Sequence, residues 1–303
     1  MIKARIQSQI PLVSMLLVMA LTMWKCTPEE EIMDRNYSQG LSFSADSVVF
    51  DTVFTGIGST TKRLMVFNPN SKAVNLGSIH LGNSDNSSFR VLINGTEIGS
   101  ANDLIILGRD SILLLIEVFI DPTNKTNPFL VKDSIVFETN GKLQDVKLIA
   151  WGQNANYLGN ILLPCNSTWT SEKPYFLFSS ILIDSLCSLT IEKGTQIYAS
   201  KDAYIYVYGS ILAEGTPEAR IKMRHERGEA RFDNLPGQWG GLIFLEGSSG
   251  SVLENLDIRN AVYGVRLGAP DPDTIPDLIL KNVIIENMSH SGILSFSSDL
   301  YAE

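Results

Sequence analysis

Histidine and cysteine are scarce in this chain, with three of each among 303 residues. Neither a C-x-x-C nor an H-x-x-x-H spacing occurs, which excludes a structural zinc cluster, whose ligands come in close pairs. No metal and no other cofactor is expected. Basic residues are also in deficit: 24 lysines and arginines stand against 33 acidic residues, a formal charge of -9. No Lys/Arg-rich block offsets the repulsion a phosphate backbone would feel, so nucleic acid is not expected as a partner. What the chain does have is 44% hydrophobic and 9% aromatic residues, an ordinary globular composition with room for two domains.

An internal repeat organises the C-terminal half. Leu253, Asn255, Leu256, Ile258 and Asn260 recur 27 residues later as Leu280, Asn282, Val283, Ile285 and Asn287, and Gly264-Val265 returns as Gly292-Ile293. A unit this short cannot bury a core alone and must stack on its neighbours, so each copy reads as one coil of a parallel β-helix. Alternation points Leu256, Ile258, Val283 and Ile285 inward and Asp257, Arg259, Ile284 and Glu286 to solvent. Asn260 and Asn287 fall at the bend, where asparagine tolerates a left-handed backbone and stacked amides can bond from coil to coil.

From Leu41 to Gly152 short alternating strands are separated by Asn68-Pro69-Asn70, Asn94-Gly95, Asp121-Pro122 and Asn140-Gly141, the pattern of an all-β sandwich. Val66-Phe67-Asn68, Phe89-Arg90-Val91, Ile116-Glu117-Val118-Phe119 before Pro122, and the closing Val146 to Gly152 resemble the immunoglobulin-like domains of the ASPM, SPD-2 and hydin group. That resemblance implies an adhesive or structural module without catalytic residues. Residues 153–163 read as a linker. Beyond them, Trp169-Thr170 through Pro174-Tyr175, Leu189 to Gly194, and Pro236-Gly237-Gln238-Trp239-Gly240-Gly241 resemble a family of Bacteroidetes lipoproteins with a right-handed parallel β-helix. The expected fold is therefore all-β: a sandwich over 41–152 and a β-helix over 164–303. Ser297 to Glu303 carry no polar cap of the kind solenoids need at an open end, so the helix is expected to be truncated there.

The first 26 residues read as an export signal. Lys3 and Arg5 supply its positive start, and Leu12 to Met23 an apolar core too short to span a bilayer. Leu21-Thr22-Met23-Trp24-Lys25-Cys26 resembles a bacterial lipoprotein signal, which implies lipidation of Cys26. Thr27-Pro28-Glu29-Glu30-Glu31 resembles the acidic run of Bacteroidetes surface lipoproteins, and residues 27–40 read as a tether. The implied location is the outer face of the outer membrane, held through a lipid anchor. Secretion or a periplasmic location is the alternative.

Parallel β-helices host polysaccharide enzymes, but fold alone assigns no chemistry. Of the polygalacturonase pattern only an isolated Arg220-Ile221-Lys222 is present. Asp271 and Asp273 flank Pro272 in a loop with the oxygen chemistry of calcium ligands, although Asp-Pro turn chemistry explains them as well. The best catalytic pair is Asp257 with Glu286, roughly 8 Å apart by strand geometry, a spacing compatible with inverting glycosidases. Arg259, directly beside Glu286, argues instead for a cross-strand ion pair on a solvated face. His80 in a strand, His225 in a charged loop and His290 in a turn are expected at the surface. No complete hydrolase or lyase motif exists, and an enzyme remains the alternative to a binding protein or a passive adhesion or coat protein.

Tyr204, Tyr206 and Tyr208, at strand spacing, are candidates for stacking on the sugars of a polysaccharide, or else an outward row covering a coil. An exported protein permits a disulfide between Cys165 and Cys187. Asp followed by Ser or Thr and an apolar residue resembles the acceptor site of Bacteroidetes O-glycosylation, and it occurs at Ser47, Thr52, Ser111, Ser134, Ser185 and Thr274. Turn chemistry competes at Ser111, Ser134 and Ser185.

Overall fold

The computed structural model describes residues 33–34, 40–98, 101–268, 276–296 and 298–303. Their regular structure is β, with short 3-10 turns at Ser84–Asn86 and Ala230–Phe232.

Two five-stranded sheets form the N-terminal part. One has the order Ser42–Phe43, Lys62–Phe67, Ser111–Val118, Phe89–Ile93, Thr96–Glu97, and the other Ser47–Phe54, Lys142–Gln153, Phe129–Thr139, Val74–Leu81, Ala101–Ile106. All neighbours are antiparallel except Ser47–Phe54, which lies parallel to Lys142–Gln153 at the sheet edge. Side chains of both sheets, among them Phe50, Leu64, Leu76, Leu114, Phe137 and Leu148, meet in one buried core, which makes the unit a sandwich. Asn94-Gly95 and Asn140-Gly141 have positive φ at both residues, the backbone that two-residue hairpins between twisted strands require. Along Ser47–Phe54 a register shift gives one strand an extra residue. The bulge resets the alternation, so that Val48 and Phe50 and then Val53 all reach the core.

From Asn156 onward the chain visits three parallel six-stranded sheets in rotation, one strand in each per turn, and so builds a three-sided stack of six coils. The first sheet is Asn156–Leu158, Tyr175–Leu177, Gln196–Ala199, Ile221–His225, Leu256–Arg259, Ile284–Glu286. The second is Ile161–Leu162, Ile181–Ile183, Tyr204–Val207, Gly241–Phe244, Tyr263–Leu267, Ser291–Ser295. The third begins with Ser167–Trp169 and ends with Leu300–Ala302. Equivalent residues of successive coils stack inside. Tyr175, Ile197, Met223, Ile258 and Ile285 form one such ladder, and a fully buried side chain of this kind contributes roughly 1.5–3 kcal/mol. At the corner after the second sheet, a Cβ on Gly209 would lie 1.9 Å from the Cys187 carbonyl oxygen. Only glycine lets the coils approach so closely there.

Several sequence expectations change at this level. Residues 153–163 are no linker: Asn156–Leu158 and Ile161–Leu162 pair with Tyr175–Leu177 and Ile181–Ile183 as the first coil. Their Tyr157 and Leu158 supply half-buried apolar surface that an isolated loop would waste. Within the tether read at 27–40, the Asp34 N–H donates to the Ala73 carbonyl (2.8 Å) and Met33 bridges Ala73. His225 is buried at the end of a strand and not in a charged loop.

The two units meet through aromatic rings. Phe54 of the sandwich packs edge-on against Phe176 and Tyr198, both with ring centres 4.9 Å away. Thr55 Oγ1 donates to Asn154 Oδ1 (2.9 Å), and the Tyr157 hydroxyl donates to the Thr55 carbonyl. Burial pushes the Tyr157 phenol up, against the opposing effect of the Thr55 hydrogen bond.

Candidate functional site

The strand Ile221–His225 alternates strictly, with Ile221, Met223 and His225 buried and Lys222 and Arg224 exposed. In the next coil Asp257 lies beside Lys222, and on that same strand Arg259 is paired with Glu286 of the coil after. Lys222, Arg224, Asp257 and Arg259 line the floor of a groove of about 420 Å³. Its wall is the excursion from Glu226 to Gly240, which contributes Arg227, Asp233 and Asn234. Connections between the same two sheets in the following coils, such as Asn260 to Val262, are much shorter, so the groove exists at this level of the stack.

The wall is anchored on both sides. Asn260, buried with a left-handed backbone, donates its amide to the carbonyls of Phe232 (3.3 Å), Asp233 (2.8 Å) and Leu235 (2.9 Å). Asn287 donates to the Asp233 carbonyl (3.2 Å), and the Trp239 indole donates to the Arg259 carbonyl (2.7 Å). The expected Asn260–Asn287 stack is thus replaced by four bonds to one loop, three from Asn260 and one from Asn287. The coil-to-coil amide bond forms instead from Asn282 Nδ2 to Asn255 Oδ1. On its other face the excursion touches the sandwich: Thr60 Oγ1 donates to Glu229 Oε1 (2.8 Å), while Arg227 Nε stands 3.3 Å from Glu229 Oε2. Burial would raise the Glu229 carboxyl, but its bonds from Thr60, from its own N–H and from Arg227 outweigh that and hold it below the usual carboxylate range. A second cavity of about 310 Å³ lies on this side, between Phe50–Lys62, Phe176 and Glu226–Glu229.

His225 Nδ1 accepts the Arg227 N–H (3.0 Å) and its ring packs on Phe232. Burial depresses its pKa and the neighbouring Arg224 adds to the effect, so the imidazole is a neutral structural group at neutral pH.

The carboxylates singled out in the sequence take separate partners. Asp257 is not solvent-facing: only 8% exposed, it accepts Arg220 Nε at 2.6 Å. Arg220 also donates to the carbonyls of Leu256 (3.1 Å) and Asn282 (2.8 Å), bracing two coils. Glu286 is bound by Arg259 at 3.0 Å. Arg220 and Lys222, an isolated motif fragment in the sequence, therefore divide their work, Arg220 clamping Asp257 while Lys222 stands in the groove. The alternation of Ile221–His225 followed by an unusually long break is the signal in the sequence that marks this place.

Tyr204 and Tyr206 stack on each other with ring centres 5.6 Å apart on the outer face of the second sheet, and Tyr208 is 41% exposed. The Tyr204 ring lies flat over Gly240, where a Cβ would come within 2.3 Å of it, and burial raises its phenol, helped by the nearby Tyr206. Tyr263 and His290 extend the aromatic surface, with ring centres 4.8 Å apart. Cys165 and Cys187 are joined by a disulfide with Cα atoms 4.7 Å apart. His80 is half-buried in its strand. Ser47, Thr52 and Ser185 are exposed, whereas Ser111 and Ser134 are half-buried. The N–H groups of Ser111, Ser134 and Ser185 each bond the side chain of the preceding aspartate at 2.7, 2.7 and 2.8 Å, the local chemistry of a turn opening a strand. Cys26, Glu29 to Glu31, Asp271, Asp273 and Thr274 lie outside the described residues. Among the described residues no group of three or more His, Cys, Asp or Glu is arranged to hold a metal ion, and no helix is long and apolar enough to cross a membrane.

No protein-family description matches this sequence, and no curated protein matches it. Among solved structures it is similar to a family 123 glycoside hydrolase from Clostridium perfringens that acts on glycolipid glycans, at 12% identity and a TM-score of 0.27, over 41% of this chain and 30% of that one. A protein of unknown function from Porphyromonas gingivalis W83 aligns at 14% identity and a TM-score of 0.27, over 42% of this chain and 60% of its own. The ASH/PapD-like domain of human CEP192 aligns at 12% identity and a TM-score of 0.25, over 42% of this chain and 96% of the domain. The chain thus spans less than two thirds of the first two proteins.

Proposed function

We propose that this chain is an exported surface lipoprotein of the Bacteroidetes type, with Cys26 as its lipid anchor and an immunoglobulin-like domain of the ASPM, SPD-2 and hydin group nearest the membrane. The coils form a right-handed parallel β-helix that binds glycan along its side. The observation that carries the binding reading is the lateral groove over Ile221–His225 and Leu256–Arg259, lined by cations, carboxylates and amides. A mixed set of donors and acceptors on a rigid floor suits a hydroxyl-rich ligand. Binding is favoured over turnover because Asp257 and Glu286 are each tied to an arginine, and His225 is locked into the wall.

A glycan array probed with the purified protein tests the function: retention of a defined glycan class, without release of reducing ends from it, is expected. Retention of none would overturn the reading. Anchoring is tested in a Bacteroidetes host. Labelled palmitate should enter the wild type but not Cys26→Ala, and protease should remove the protein from intact cells. Unlabelled protein free in the medium would leave export alone standing.

A further inference from the structure

Resting on the glycan-binding reading, we propose that the groove selects acidic sugars, with Lys222 and Arg224 holding a carboxylate or sulfate group of the ligand. Four cations line this groove in a chain whose formal charge is -9, and two are already neutralised: Arg227 by Glu229 and Arg259 by Glu286. Asp257, the carboxylate beside Lys222, is bound by Arg220. Among the described residues neither Lys222 nor Arg224 makes an ion pair, and both side chains are exposed. Two positive groups therefore remain, two residues apart on one face of one strand, which places their backbones about 6.6 Å apart.

Arg224 is also held in place. Its guanidinium lies over the Tyr198 ring, 4.9 Å from the centre, and donates to the Tyr198 hydroxyl at 2.8 Å. A cation fixed before binding loses little side-chain freedom on meeting an anion. Asp233 and Asn234 across the groove offer acceptors and donors to sugar hydroxyls. This pattern fits a chain carrying a few charges among many hydroxyls. A nucleic acid, with a charge about every 1.7 Å of duplex, would meet Asp233 and the acidic remainder of the protein.

The test uses the full chain and four probes: neutral dextran, alginate as the carboxylated glycan, dextran sulfate as the sulfated one, and single-stranded DNA. Alginate or dextran sulfate should bind at least about ten-fold more tightly than dextran and weaken as salt is raised, and which of the two binds identifies the anion. Lys222→Gln and Arg224→Gln should each weaken that binding about ten-fold without shifting the melting temperature. Lys193→Gln, an exposed cation outside the groove, should leave it unchanged. Equal affinity for dextran, equal affinity for DNA, or full binding by the Lys222→Gln/Arg224→Gln double variant would overturn acidic selection while leaving glycan binding intact. Failure to bind any glycan here and on the array would overturn both.

Discussion

Asn282 donates its side-chain amide to the side-chain oxygen of Asn255 one coil earlier, at 2.6 Å, and both residues hold left-handed backbones with φ of 49° and 48°. Asn255 in turn donates to the Gly215 carbonyl at 3.0 Å, so this corner is stitched across three coils. The hydrogen bonds and the backbone requirement act on the same residue, and two substitutions separate them. Asn255→Ala should cost about 2–3 kcal/mol, from two lost bonds and an unfavourable φ. Asn255→Gly keeps the backbone freedom and should cost less. Urea unfolding of both variants gives the comparison, and equal losses would mean that the amide bonds dominate.

Leu256 and Asp257 are neighbours with opposite chemistry and similar burial. Leu256→Asp places an unpaired charge in the stacked core and should unfold the coils outright. Asp257→Ala leaves Arg220 without its carboxylate, and because the pair keeps some solvent contact a loss of about 2 kcal/mol is expected. Ile284→Asp, at an exposed position, should change stability little. Thermal melts rank the three.

Acid should weaken the protein in two separate windows. The His225 pKa is lowered by burial and by Arg224 and Arg227, against Asp233 and a bond to the Phe232 backbone. The unfolded chain then takes up a proton that the folded chain refuses. This contribution is complete above the ordinary value of 6.5 and is lost as pH falls from there through the lower folded value. The Glu229 carboxyl is also lowered in the fold, so its contribution is complete above 4.5 and disappears below it. Calorimetry across this range should show His225→Gln flattening the upper window, while Glu229→Gln flattens the lower one.

The disulfide closes a loop of sequence separation 22 at the start of the stack. Replacing both Cys165 and Cys187 by serine should cost about 3 kcal/mol through the larger freedom of the unfolded chain. A lower urea midpoint for the double variant, reproduced by reducing the wild type, is the expected result.

The inward positions of the coils can be read from the sequence because alternation and repetition act together. Leu256 and Ile258 have no exposed surface, as their place in the repeat requires. Asp257 is misread by the same rule, since a period of two says which side of a sheet a residue faces but not what else covers that side. Its partner Arg220 comes from the preceding coil, and no local pattern links the two. Asn260 is read as a bend residue correctly, yet the loop it serves lies more than twenty residues away in the chain. In the sandwich the bulge in Ser47–Phe54 breaks the alternation midway, and only the partner strand reveals where. The groove was hidden for a related reason: Lys222 and Arg224 are ordinary outward cations until the excursion from Glu226 to Gly240 rises beside them.

That excursion is gripped by Thr60 on one face and by Asn260 and Asn287 on the other, which sets the limits within which such a protein can be rebuilt. The strands beyond Asn287, Ser291–Ser295 and Leu300–Ala302, pair in parallel with those of the coil before, so further turns grafted there would leave the groove as it is. The sandwich is not exchangeable in the same way. A foreign domain lacking a hydroxyl at the Thr60 position and a ring at Phe54 would loosen the wall from behind. Groove and sandwich must therefore vary together, while the far end of the stack is free to lengthen or diverge.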